Sequence, residues 1–76
     1  MSIKAYILAN VEAGMGEEVF QALSAIEGVE SAHSVTGPYD VIAFVEVPDT
    51  AVLGNLVINS IQLIDGIDYT LTCVVI

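Results

Sequence analysis

Positive charge is the scarcest property of this sequence: Lys4 is its one basic residue besides His33, set against ten acidic residues, for a net charge of −9. A surface that holds DNA or RNA neutralises several phosphates with lysine or arginine, and one lysine cannot do so, so direct nucleic-acid binding is not expected. Cysteine is limited to Cys73, which excludes a disulfide framework and any cysteine-based metal motif and fits a reducing, cytoplasmic setting. Within Leu71-Thr72-Cys73-Val74-Val75 it reads as a small buried hydrophobe rather than a reactive thiol. No apolar run approaches the ~20 residues that a membrane-spanning helix needs. No residue pattern points to a metal site or a cofactor.

What is present is an excess of apolar material. Hydrophobic residues make up 55% of 76 positions and mean hydropathy is +0.79, yet a chain this short forms one domain, residues 1–76, that buries only roughly 60% of its unfolded surface. The surplus calls for cover by other copies of the chain.

Read in order, residues 3–11 alternate without a polar side: Ile3, Ala5, Ile7, Ala9 and Val11 face one way, Lys4, Tyr6, Leu8 and Asn10 the other. Met15, Val19, Ala22, Leu23 and Ile26 recur at helical spacing, Glu17 and Glu18 suit a helix N-terminus, and Gly28 stands at a C′ position. Two strands follow, Val29–Ser34 and Val41–Val47, joined by a tight turn, Val35-Thr36-Gly37-Pro38-Tyr39-Asp40, as a β-hairpin. Pro48-Asp49-Thr50 stops the strand and caps a second helix with the stripe Leu53, Leu56, Val57, Ile61 and Ile64. Gly66 ends that helix, and residues 68–76 form a last strand.

Ile26-Glu27-Gly28-Val29-Glu30 recurs as Ile64-Asp65-Gly66-Ile67-Asp68, 38 positions later, half of the chain. Two strand-helix-strand halves predict an α+β, ferredoxin-like βαββαβ fold, with a four-stranded antiparallel sheet in the order 4-1-3-2 and both helices on one face. The other face would be bare. Tyr6, Leu8, Ile42, Phe44, Val74 and Ile76 are the large groups available to pair two sheets, giving a dimeric α+β barrel.

In the hairpin turn, Gly37 can adopt positive φ, Pro38 fixes a corner and Asp40 accepts backbone hydrogen bonds, which serves a bare hairpin as well as a ligand site. The order and spacing of the Gly28-Val29 and Asp65-Gly66-Ile67 helix ends, this turn running into Val41-Ile42-Ala43-Phe44-Val45, and the threonines of Tyr69-Thr70-Leu71-Thr72 resemble the effector-binding RAM domain of Lrp/AsnC transcriptional regulators along nearly the whole chain. The resemblance implies sheet-paired dimers assembling into a tetramer of dimers, an octamer, with an amino acid or similar small molecule held between dimers. It carries the effector role to Thr36, Gly37, Tyr39 and Asp40, and to Thr70 and Thr72. It also implies a module without its own helix-turn-helix, acting by co-assembly with a full-length regulator.

Two other readings share this element order. A small dimeric α+β-barrel enzyme, monooxygenase- or isomerase-like, would use His33 as its base, although no acid stands at a telling spacing from it. An ACT-like amino-acid-binding module would use the glycine turn Glu12-Ala13-Gly14-Met15-Gly16, which equally serves as a strand-to-helix loop.

Overall fold

The central strand is β1 (Ile3–Val11), whose β-branched and aromatic residues favour an extended backbone. The structure, a computed structural model, describes residues 2–76. After β1 come α1 (Gly16–Ser24), β2 (Val29–Ser34), β3 (Val41–Val47), α2 (Thr50–Leu56) continued by a π-helical turn (Val57–Ile61), and β4 (Ile67–Val74). The sheet is antiparallel in the order β2-β3-β1-β4, so the expected fold and strand order are observed.

Direct cross-strand partners lie on one face of a sheet, which sorts the side chains. Ala5, Ile7 and Ala9 of β1 share a face with Val41, Ala43, Val45 and Val47 of β3, all buried. With Val19, Leu23, Leu53, Leu56 and Ile61 from the helical side they form the core. Small residues at positions 5, 9 and 43 let the helices approach closely, while Tyr6, Leu8, Ile42 and Phe44 line the opposite face.

That register corrects part of the sequence reading. Val74 pairs with Ala5 and therefore lies on the helix side, not beside Tyr6, and Ile76 lies beyond β4, fully exposed. Their places on the open face are taken by Leu71, opposite Leu8, and Cys73, opposite Tyr6. Cys73 is exposed rather than buried, because its parity turns it away from the helices.

Asp49 caps α2 as expected: its carboxylate accepts from the Val52 amide at 2.9 Å. The helix then departs from α geometry. Leu56 and Ile61, five residues apart, would sit about 140° apart on an α-helix, but the Gln62 amide bonds back to the Val57 carbonyl at 2.8 Å, and the wider turn brings both into the core.

Gly28 is not at the C′ position of α1. The helix ends at Ala25, the Ile26 amide bonds to Leu23, and a further turn closes from the Val29 amide to the Ile26 carbonyl. Gly28 occupies the third position of that turn with φ +100, as a type II turn demands. The hairpin connection is also wider than a tight turn. Six residues separate β2 from β3, and the loop is closed by the Val35 amide on the Asp40 carbonyl at 2.9 Å.

Candidate functional site

The 35–40 loop is fixed by three bonds to the end of β1. β1 outlasts its pairing with β3, which stops at Ala9 opposite Val41, and Asp40 extends the ladder. Its amide donates to the Ala9 carbonyl at 2.9 Å, and its Oδ2 accepts from the Val11 amide at 3.0 Å. The carboxylate thus stands in for the next backbone acceptor, at the point where β1 shifts register against β4. Asn10 Nδ2 completes the anchor by donating to the Pro38 carbonyl at 2.8 Å. At Gly37, φ is +147, a conformation that side-chain-bearing residues rarely adopt.

The anchored loop walls a cleft of about 430 Å³ with Leu8 and Ile42, lined by Val35, Thr36, Gly37, Pro38 and Tyr39. No charged side chain lines it. Because Leu8 and Ile42 belong to the open face, this cleft adjoins a second one of about 360 Å³ lined by Tyr6, Ser31, His33, Ile42 and Phe44. Tyr6 and Phe44 pack there with ring centroids 5.1 Å apart at 54°, a tilted arrangement of the favourable kind. The result is an apolar trough that runs along the sheet and ends at the loop.

The expected effector residues do not all meet within one chain. Thr36, Gly37 and Tyr39 share the cleft and Asp40 forms its hinge. Thr70 and Thr72 pair with Ala9 and Ile7, so they project from the helix side of the sheet, and β1 separates them from β3 by two strand spacings, about 10 Å. Gln62 Nε2 donates to Thr70 Oγ1 at 3.4 Å, and the two line a separate cleft of about 320 Å³ with Ile67, Asp68 and Tyr69. Sequence reasoning gave Gln62 no role. The i→i+5 turn that aims it left no mark in the apolar stripe, whose spacing an α-helix also accommodates.

Electrostatics narrow what the loop can hold. Lys4 lies opposite Glu46 at the other end of β1, six residues from Asn10, or roughly 20 Å along an extended strand. Within one chain no lysine or arginine lies near the loop, which leaves backbone N–H groups and the Thr36 and Tyr39 hydroxyls of the cleft to hold an anion. His33 is exposed on the open face opposite Ile42, and no carboxylate hydrogen-bonds to it among the described residues.

The family model described as the Lrp/AsnC ligand binding domain matches residues 4–76. The chain belongs to the Lrp/AsnC ligand-binding domain family. Of the solved structures, FFRP-DM1 is 32% identical with a TM-score of 0.93, over 97% of this chain and 99% of that one. Escherichia coli AsnC is 27% identical with a TM-score of 0.92, over 97% of this chain and 50% of that one, so this Lrp/AsnC domain spans half of it. A Neisseria meningitidis transcriptional regulator, NMB0573, solved as a complex with L-Met, shares the fold at 18% identity with a TM-score of 0.86, over 97% of this chain and 49% of that one. No curated protein sequence matches the chain. The family is one of regulatory ligand-binding domains.

Proposed function

We propose that this Lrp/AsnC domain binds an amino acid or similar small zwitterion at the Thr36–Asp40 end of the sheet and that its copies pair through the open face. The carrying observation is the uncharged cleft itself, walled by a hydrogen-bonded glycine loop and continuous with the apolar trough. Leu8, Val35 and Ile42 suit an apolar ligand side chain, and backbone N–H groups around Gly37 suit a carboxylate. Asp40, with Oδ2 committed to Val11, has Oδ1 to offer an ammonium group. Thr70 and Thr72 reach such a ligand from a neighbouring copy, as an assembly of dimers up to an octamer would allow. The Neisseria regulator's L-Met is a property of that protein, and it supports the class of ligand here by analogy of fold.

The net charge of −9 repels DNA, so in this reading the DNA contact lies outside these 76 residues, as through co-assembly with a full-length regulator of the family.

Calorimetric titration with a panel of amino acids tests the site. Asp40→Asn, which removes a charge-assisted contact, should weaken binding by about 1.5–3 kcal/mol, one to two decades. It also alters the Val11 anchor, so Thr36→Val and Tyr39→Phe, which leave that anchor intact, provide the control. Affinities unchanged in all three variants would return the loop to a purely structural role.

A further inference from the structure

The end of the sheet that bears the cleft also gathers negative charge, and three contacts bring that charge together. Asp40 is bonded to Ala9 and Val11 of β1, the Glu12 amide donates to the Gly66 carbonyl at 2.8 Å, and Tyr69 pairs with Asn10. Asp65 precedes Gly66 and Asp68 precedes Tyr69, so Glu12, Asp40, Asp65 and Asp68 surround the last residues of β1. All four are exposed. From the spacings within and between strands, Glu12, Asp65 and Asp68 stand about 10 Å from the 35–40 loop. Lys4, the one lysine, lies at the other end of β1, opposite Glu46.

We infer that this field makes the cleft select ligands of net positive charge: an amino acid with a basic group on an aliphatic stem, ahead of a neutral one and further ahead of an acidic one. The inference rests on the effector site proposed above and deepens it by fixing the charge of the ligand. The cleft is still the site, and the carboxylates beyond it set its potential. Leu8, Val35 and Ile42 cover an aliphatic stem, whose terminal ammonium remains in water on the acidic side, as a snorkelling lysine does. A unit charge about 10 Å away changes the affinity of a singly charged ligand about twofold in water. Three such carboxylates, acting in opposite senses on a basic and an acidic ligand, separate the two by at least ~tenfold when salt is low.

Calorimetric titration of the full chain with lysine, norleucine and glutamate tests this, because norleucine has the stem of lysine without its ammonium. At about 10 mM salt lysine should bind at least ~tenfold tighter than glutamate, with norleucine between them, and at about 1 M salt, where the Debye length falls to ~3 Å, the ratio should shrink severalfold. Glu12→Gln/Asp68→Asn should narrow the low-salt ratio at least ~threefold. Glu27→Gln/Glu30→Gln removes the same net charge beside Gly28, whose carbonyl accepts from the Glu46 amide at the Lys4 end, and should leave the ratio nearly as in wild type. All four substituted residues are exposed, so the fold should survive, as circular dichroism verifies. Glutamate or norleucine bound as tightly as lysine, or a ratio that both double variants change equally, would overturn the inference and leave the effector site standing. Binding of none of the three would overturn it as well, and the wider panel of amino acids then decides whether the effector site itself stands.

Discussion

The two halves of the chain repeat one word and use it under different pressure. Gly28 and Gly66 stand 38 residues apart with φ of +100 and +99, each in the third position of a turn closed by an amide on an isoleucine carbonyl three residues back, Ile26 or Ile64. Each carbonyl then accepts from a strand end, Gly28 from the Glu46 amide at 3.1 Å and Gly66 from the Glu12 amide at 2.8 Å. The surroundings differ. A Cβ at Gly28 would meet Leu56 and Val47 at 3.6 Å, ordinary contact, whereas at Gly66 it would meet Met15 Cβ at 2.9 Å and Val19 Cγ2 at 3.0 Å. Backbone conformation requires glycine in both halves; packing requires it in the second alone.

Alanine substitution breaks that symmetry. Gly66→Ala adds overpacking against α1 to the cost of positive φ and should destabilise by roughly 3 kcal/mol. Gly28→Ala bears the conformational cost alone, about 1 kcal/mol. Denaturant midpoints for the two variants measure the difference, and equal losses would mean that the Met15 contact relaxes freely.

The helix starts provide a finer contrast of about the same size. Asp49 caps α2 with its side chain, whereas Met15 at the head of α1 makes no such bond. Asp49→Ala should therefore cost about 1 kcal/mol. Most of that loss should appear as faster amide exchange in the first turn of α2, with α1 unaffected.

How much of this was legible depended on whether a residue's signal was local. Asp49 is a local cap, Gly37 is a local turn residue, and the strand order followed from the repeat; all of these could be read, whereas Gly28 and Gly66, read as helix ends, stand in separate turns beyond the helices. Face assignments in β4 could not. In β4 the polar parity of Thr70 and Thr72 pairs with Ala9 and Ile7, and Val74 pairs with Ala5, so this parity faces the helix side and leaves Tyr69, Leu71 and Cys73 on the open face, the reverse of the polar-out alternation a half-buried strand would show. The π-helical turn was equally hidden, since Leu53, Leu56, Val57 and Ile61 fit an α-helical stripe well enough. In the candidate site, Thr36, Gly37 and Tyr39 are neighbours in sequence and so came together as read. The role of Asp40 as a splint for Val11 depends on β1 outlasting β3, a length mismatch between strands distant in sequence.

The account rests on the open face of Tyr6, Leu8, Ile42, Phe44 and Leu71 being covered by a second copy, so the mass of the particle in solution tests it most directly. Sedimentation at micromolar concentration should show wild type at twice 8.0 kDa or more. Phe44→Asp, which would bury an unpaired charge in that contact, should shift it to smaller species. A wild-type protein that sediments as a folded 8.0 kDa monomer under those conditions would contradict the account.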